Sequence, residues 1–130
     1  MRKLLYLLLF ISFASFSQNY WESGLEKYKN GDTYGAIADY TKMIEMNPND
    51  TIAILVYSSR GVAKAKLNDY NGAIADFTKF IEIEPMEGEP YYYRGISKYL
   101  LGDKNGACQD ARKAQDLGYD ASELIRDVCN

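Results

Sequence analysis

Apolar positions recur at spacings of three and four in two stretches that are near copies of each other. The stretches are YGAIADYTKMIEMNP (residues 34–48) and NGAIADFTKFIEIEP (residues 71–85), identical at 10 of 15 positions. Such spacing puts one apolar face on a helix, so each stretch predicts an amphipathic helix. The apolar positions are Ala36, Ile37, Tyr40, Met43 and Ile44 in the first stretch and Ala73, Ile74, Phe77, Phe80 and Ile81 in the second.

A second recurring block precedes each stretch, and the two blocks together form a repeated unit. This block reads YWESGLEKYKNGD from Tyr20, YSSRGVAKAKLND from Tyr57 and YYYRGISKYLLGD from Tyr91. A third, degraded copy of the first pattern, NGACQDARKAQDLGY, occupies residues 105–119. Because an internal period of roughly 20–50 residues is typical of solenoid proteins, we predict three units of two helices each.

Turn-forming residues stand where the predicted helices end. Residues 31–32 (Gly-Asp), 68–69 (Asn-Asp) and 102–103 (Gly-Asp) separate the two helices of each unit. Gly and Asn tolerate the left-handed backbone that ends a helix, and Asp suits the start of the next one. Pro48 and Pro85 are expected to close the second helix, because the residue before a proline is pushed out of the helical region.

These units resemble the tetratricopeptide repeat, a helix–turn–helix unit of about 34 residues. The first two units share with that family an aromatic residue, a Gly four residues later, the turn, a small residue, a bulky residue and a final Pro. The resemblance implies an all-α, right-handed solenoid of three repeats, at about residues 18–53, 54–87 and 88–119. A capping helix at residues 120–130 would follow.

The units depart from the family pattern at three places. The junction between Pro48 and Tyr57 is three residues too long, so we expect NDTIAIL to lengthen the loop or to add half a helical turn. The third unit has Ala111 in place of an aromatic residue and Tyr119 in place of proline. Ser23 stands in the first unit where the other two units have arginine.

The two arginines predict ties between neighbouring repeats. Counted outward from the proline turns between units, Arg60 is roughly level with Asp39, and Arg94 is level with Asp76. A buried arginine needs an acidic partner of this kind. We therefore predict structural ion pairs Arg60–Asp39 and Arg94–Asp76, with a ligand-binding role for these residues as the alternative.

The N-terminal residues have the order of a secretory signal. A basic start, Met1-Arg2-Lys3, is followed by the apolar run LLYLLLFISFASF (residues 4–16) and then by small and polar residues. The alternative is a membrane anchor, but 13 apolar residues span roughly 20 Å against about 30 Å of hydrocarbon core. We expect residues 1–17 to be cleaved, leaving residues 18–130 as one exported domain, periplasmic or secreted, with no membrane span.

Charge and composition narrow the classes of function. Removal of Arg2 and Lys3 with the signal takes the formal charge from −3 to −5, and the chain has no basic run. Nucleic-acid binding is therefore not expected. The sequence has no histidine, which removes the commonest general base and the commonest metal ligand. We expect no enzymatic activity, no metal and no cofactor.

Residues 120–130, DASELIRDVCN, predict a helix that covers the last repeat. A repeat array exposes an apolar face at its end unless something seals it. Asp120 or Ser122 can cap the start of this helix. One face of it carries Ala121, Leu124, Ile125 and Val128.

Two cysteines flank the turn at Gly118. Cys108 lies about ten residues before this turn and Cys129 about ten after it, so both stand roughly 15 Å from it on antiparallel helices. Level side chains can reach the Cα separation of about 5.5–6 Å that a disulfide needs, and export permits oxidation. We predict a structural disulfide between Cys108 and Cys129, with two buried thiols as the alternative.

The resemblance also implies where partners bind. In the tetratricopeptide-repeat family the first helix of each unit lines a concave groove, and the proteins are as a rule scaffolds for peptides or partner domains. Leu25, Val62 and Ile96 face this side but are expected to pack between helices. Aromatic anchors with a few charges suit peptide recognition. The predicted groove residues are Trp21, Tyr28, Lys29, Lys66, Tyr92 and Tyr99.

Two functions remain open on this basis. The first is an exported, non-catalytic adaptor that binds a peptide or partner protein in its groove. The alternative is a structural or stabilising subunit of an envelope complex that acts through its convex face or by self-association, without a peptide ligand. The branch of the family that clamps chaperone C-termini has Lys and Asn where this chain has Trp21 and Leu25, so that specificity is not expected.

Overall fold

The computed structural model describes residues 19–46 and 51–130, which are helical with short connections and contain no strand. The all-α prediction is confirmed. The predicted signal (residues 1–17) and Pro48 lie outside the described residues. The helices are α1 (residues 19–29), α2 (Thr33–Met46), α3 (Thr51–Lys66), α4 (Tyr70–Ile83), α5 (Gly88–Leu100), α6 (Lys104–Asp116) and α7 (Ser122–Val128).

The predicted turn residues are where the helices meet. Asn68 and the glycines at 31, 102 and 118 all have positive φ, between 62° and 89°. Asp32, Asp69 and Asp103 each accept a hydrogen bond of 2.9 Å from the backbone N–H three residues on. Each bond satisfies a donor that the first turn of a helix leaves without a helical partner.

The extra residues between the first two units lengthen a helix. α3 begins at Thr51 and has 16 residues, against 13 in α5. From α2 onward, each helix packs against the next along the chain, and α3 also contacts α5 directly. Consecutive helix pairs therefore stack as a solenoid. No helix among residues 19–46 and 51–130 is long and apolar enough to cross a membrane.

Close crossings within each unit depend on a glycine of the first helix. Phe77, which is fully buried, lies against Gly61, so that a Cβ added there would be 3.0 Å from the ring. In the third unit Ala111 is too small to fill this place, and Leu124 of α7 lies against Gly95 instead. The capping helix thus supplies the bulk that the degraded third copy lacks.

The partners predicted for the two arginines are wrong. Arg60 donates from Nε and Nη2 to Asp76, at 2.8 and 2.7 Å, instead of to Asp39. Arg94 donates in the same way to Asp110, at 2.8 and 2.7 Å, instead of to Asp76. Each arginine and its aspartate are 16 residues apart, with the left-handed turn residue midway between them. They therefore come level within one helical hairpin, not across the junction between repeats.

A tie between neighbouring repeats does exist, and it runs through threonine. Arg60 Nη1 donates to Thr41 Oγ1 of the preceding unit at 3.1 Å. Arg94 Nη1 donates to Thr78 Oγ1, again of the preceding unit, at 3.2 Å. Each guanidinium therefore holds its own hairpin together and also contacts the repeat before it.

The first unit makes an equivalent contact without arginine. Ser23 Oγ and Lys27 Nζ both donate to Asp39 Oδ2, at 2.6 and 2.8 Å. Burial works against the charged form of Asp39, but the hydrogen bonds from Lys27 and Ser23 hold its pKa below the ordinary value. All three repeats therefore carry an aspartate at this level that is held by the first helix of its own unit.

Candidate functional site

Two depressions meet on one side of the solenoid and form a continuous groove. The larger has a volume of about 490 Å³ and the smaller about 250 Å³. The larger is lined by Trp21, Thr51, Ile54, Leu55, Ser58, Ser59, Phe80, Glu84, Glu87, Glu89 and Pro90. The smaller is lined by Leu25, Tyr28, Tyr40, Ser58, Ser59, Val62 and Glu89. Because Ser58, Ser59 and Glu89 line both, the two depressions are treated as one site, called the groove below.

The sequence of the middle repeat creates this hollow. Ser58 occupies in the second unit the position that Trp21 and Tyr92 occupy in the first and third units. A small side chain between two aromatic ones leaves space above α3, where Ser58 and Ser59 line both depressions. A volume near 490 Å³ falls within the range of about 300–1,000 Å³ that is usual for ligand clefts.

Apolar side chains form most of the wall at one end of the groove. Leu55 lines the larger depression although 59% of its surface is exposed. Trp21 lines the same depression and packs on the buried ring of Tyr40, with 5.9 Å between ring centroids. Burial raises the pKa of the Tyr40 phenol, which therefore stays neutral. The wall offers a rigid, partly exposed aromatic surface.

The other end of the groove carries a cation over an aromatic ring. Lys66 Nζ lies 4.6 Å from the ring centroid of Tyr28, a cation–π contact that joins the first repeat to the second. Tyr28 lines the smaller depression, together with Leu25 and Val62. Sequence reasoning treated these last two as packing residues, whereas the structure includes them in the lining.

The six predicted groove residues are not all brought together. Trp21 and Tyr28 line the groove, and Lys66 touches its edge through Tyr28. Lys29, Tyr92 and Tyr99 lie outside the lining of the two depressions. The assignment of these six residues to partner binding stays a prediction.

Tyr92 belongs to an aromatic cluster at the third repeat. Its ring centroid lies 5.0 Å from that of Tyr119 and 5.5 Å from that of Tyr93. Lys29, in the first repeat, and Tyr99, in the third, are exposed. In the third repeat, Tyr92 packs on Tyr93 and Tyr119.

Sequence reasoning placed Glu89 on the groove side but missed the two other acidic residues of the groove, Glu84 and Glu87. Glu84 and Glu87, which surround Pro85, line the larger depression, and Glu89 lines both depressions. The signal was present in the sequence as three glutamates within EPMEGE, residues 84–89. It was not recognised because this segment connects two helices and has no helical periodicity to place its side chains.

The two cysteines lie at the third repeat and line neither depression. Their Cα atoms lie 5.0 Å apart and their sulfur atoms are in bonding contact. Both pack against the apolar cluster formed by α5, α6 and α7, in which Leu124 and Val128 are buried. Formation of this disulfide stays a prediction. Among residues 19–46 and 51–130, no three His, Cys, Asp or Glu side chains are arranged to hold a metal ion.

Comparison with known proteins identifies the fold. Residues 55–85 match the family model described as tetratricopeptide repeat. No curated protein matches the sequence. The first TPR of Spaghetti (RPAP3), bound to the HSP90 peptide SRMEEVD, has 20% identity and a TM-score of 0.80, over 88% of this chain and 91% of that chain.

Two further structures show the same fold. The second TPR domain of human RPAP3, in complex with the HSP70 peptide SGPTIEEVD, has 23% identity and a TM-score of 0.81, over 91% of this chain and 98% of that chain. MamA has 25% identity and a TM-score of 0.81, over 88% of this chain and 63% of that chain. Residues 55–85 thus match a tetratricopeptide repeat, and the described chain has the same all-α solenoid fold as these tetratricopeptide-repeat structures.

Proposed function

We propose that this protein is an exported, non-catalytic scaffold that binds a peptide, or a peptide-like segment of a partner protein, in its groove. The observation that carries the proposal is the groove itself. It combines an aromatic wall at Trp21 with an exposed leucine, Leu55, on the first helices of two adjacent repeats. Partly exposed aromatic and aliphatic anchors of this kind are the usual centres of peptide recognition.

The comparisons support the class of ligand. Two of the similar structures are tetratricopeptide domains in complex with short peptides. A peptide laid across first helices gains from apolar burial along the groove and from polar contacts at its edges. Ser58 and Ser59 on the floor offer hydroxyl groups to its backbone.

Selection from a peptide library tests the proposal. A phage library of random dodecapeptides would be selected on the wild type and on Leu55→Gln. Ile52→Gln is the matched control, because Ile52 is half exposed on the same helix but lines neither depression. We expect enriched peptides that bind the wild type and the control and lose affinity for Leu55→Gln. Absence of any Leu55-dependent peptide would overturn the proposal.

Export is part of the proposal and has its own test. The motivating observation is the basic-then-apolar order of residues 1–17. Intact mass measurement of the chain recovered from an expressing cell is expected to give a protein that begins at Gln18. A mass corresponding to all 130 residues would contradict cleavage.

A second candidate function is self-association without a peptide ligand. It is favoured by exposed apolar side chains at the end of α5, where Leu100 is 52% and Leu101 is 47% exposed. Exposed apolar patches mark interaction sites. Size-exclusion chromatography over a concentration series separates the two functions, since self-association predicts a concentration-dependent increase in size that Leu100→Gln reduces.

A further inference from the structure

We infer that the groove selects a cationic peptide, in which an apolar side chain contacts Trp21 and Leu55 and neighbouring Lys or Arg side chains face Glu84, Glu87 and Glu89. This inference rests on the proposed function and specifies the chemistry of the partner. It depends on how charge is distributed around the groove.

The lining of the groove contains three carboxylates and no cation, and Lys66 reaches only its edge, over the ring of Tyr28. Glu84, Glu87 and Glu89 belong to its lining, whereas no Lys or Arg side chain lines either depression. Within residues 19–46 and 51–130, none of the three carboxylates has an ion-pair partner within 4.0 Å. A bound peptide therefore meets a negative surface that the described protein does not neutralise.

Four of the five cations on α3 and α5 are paired with an aspartate of their own hairpin, and the fifth, Lys66, lies over Tyr28. Asp76 holds Arg60 and Lys64, with closest N–O distances of 2.7 and 3.2 Å. Asp110 holds Arg94 and Lys98 in the same way, at 2.7 and 2.8 Å. These four side chains point to the second helix of their own hairpins, so they are not available to neutralise the groove.

Helix stability does not account for all three carboxylates. Glu89 stands in the first turn of α5 and Glu87 is its N-cap, where negative charge is favourable. Glu84 is the C-cap of α4, where the helix macrodipole disfavours negative charge. Glu82, two residues earlier, is paired with Lys79, whereas Glu84 has no such partner within the described residues. Glu84 is therefore an exposed carboxylate on the groove wall that neither its helix nor a described ion pair stabilises, and a positive ligand would stabilise it.

Charge complementarity also disfavours an acidic occupant. Glu89 lines both depressions, so a peptide that lies along the groove passes this carboxylate where it crosses from one depression to the other. Acidic residues in the peptide would bring like charges together, which lowers affinity and slows association. A peptide with an apolar side chain next to a lysine or arginine can contact the wall at Leu55 and pair with the carboxylates at the same time.

The test uses the selected peptides whose binding depends on Leu55, and it compares each peptide with a variant of altered charge. Each peptide would be labelled and its Kd measured by fluorescence anisotropy, first as selected and then with every Lys and Arg replaced by Gln. The protein variants are Glu84→Gln/Glu87→Gln/Glu89→Gln and the single Glu84→Gln, which leaves the start of α5 intact. Glu123→Gln is the matched control, since Glu123 is exposed in the first turn of α7 and lines neither depression.

We expect the selected peptides to be rich in Lys and Arg and to lose affinity when those are replaced. Because an exposed ion pair contributes up to about fivefold in affinity, we expect roughly fivefold weaker binding to the triple variant and a smaller loss for Glu84→Gln. Glu123→Gln should bind as the wild type does. The advantage of the cationic peptide should shrink as the salt concentration rises from about 0.01 to 0.15 M.

Two other results separate a failure of this inference from a failure of the proposed function. Leu55-dependent peptides that are neutral or acidic, or cationic peptides that bind the triple variant as tightly as the wild type, would overturn this inference and leave the proposed function intact. Absence of Leu55-dependent peptides would overturn the proposed function and the inference with it.

Discussion

Replacement of Asp76 by alanine is predicted to destabilise the fold more than any other single carboxylate removal in the first two repeats. Asp76 is 3% exposed and accepts two hydrogen bonds from Arg60, at 2.8 and 2.7 Å. Lys64 Nζ lies 3.2 Å from Asp76 Oδ2, which also accepts from Arg60 Nε. Alanine at this position leaves two cations on α3 without their carboxylate.

The magnitude follows from the burial of these cations. Removal of one partner from a buried ion pair costs about 3–5 kcal/mol, because the remaining charge is left without compensation. The side chains of Arg60 and Lys64 are 14% and 19% exposed, so water reaches them in part. Thr41 still accepts from Arg60 Nη1. We therefore expect a loss at the lower end of the range, about 3 kcal/mol in the free energy of unfolding.

Urea unfolding at pH 7, followed by far-UV circular dichroism, measures this loss without adding salt that screens ion pairs. Asp39→Ala should lose less, because Lys27, which holds Asp39, is 40% exposed and can return to water. Glu26→Ala, at an exposed position on α1, should stay within about 0.5 kcal/mol of the wild type. A loss for Asp76→Ala below about 1 kcal/mol, or one no larger than that of Asp39→Ala, would refute the reasoning.

Three further predictions concern pH, the cysteines and a close helix crossing. Burial raises the pKa of Asp39, but two side-chain hydrogen bonds outweigh it and hold the folded pKa below the unfolded value of about 3.9. Asp39 therefore stabilises the fold fully above about pH 3.9, and this stabilisation is lost as the pH falls through the folded pKa. Urea titrations should show the stability difference between wild type and Asp39→Asn shrinking below about pH 4, and a pH-independent difference would be inconsistent with this. Reduction of the Cys108–Cys129 bond, which spans 21 residues, should lower the free energy of unfolding by about 3 kcal/mol, whereas two free thiols in the mass spectrum of the unreduced protein would disprove the bond. Gly88→Ala should lower the melting temperature, because its Cβ would lie 2.9 Å from the backbone oxygen of Ala114 and overpacking costs about 1–3 kcal/mol; an unchanged melting temperature would show that the helices separate freely there.

The sequence was sufficient to predict the helices and their order. Apolar spacing, turn residues such as Asn68 and the recurrence of GAIAD each depend on local geometry, which a linear pattern carries directly. The changes in the degraded third copy also indicated where the repeat array ends, because Ala111 leaves a space that Leu124 fills. Local rules and the repeat period therefore carried most of the fold.

The pairing of charges was harder to predict because two turns compete as the reference for counting. Arg60 is level with Asp76 about the turn within its hairpin, but it is roughly level with Asp39 about the turn between repeats. Both aspartates occupy equivalent positions in their repeats, so residue type does not distinguish them. Only the observed hairpin geometry selects Asp76.

The acidic edge of the groove was missed for a different reason. Glu84 and Glu87 lie between α4 and α5, and the direction of their side chains depends on how the loop turns around Pro85. No period applies to such a segment. Residues of helices, such as Trp21 and Tyr28, were placed in the groove by the resemblance to the tetratricopeptide repeat, which assigns a facing side to each helix position.

The emission of Trp21 tests most directly the claim that the groove binds a peptide. Trp21 is the only tryptophan of the chain and lines the larger depression. A selected peptide whose binding depends on Leu55 would be titrated into the protein, and binding would be followed both by calorimetry and by tryptophan fluorescence on the same samples. Peptide binding in the groove predicts a saturable change in Trp21 emission with the same Kd as the heat of binding. Saturating heat with unchanged Trp21 emission would contradict it, because the peptide would then occupy another face of the solenoid.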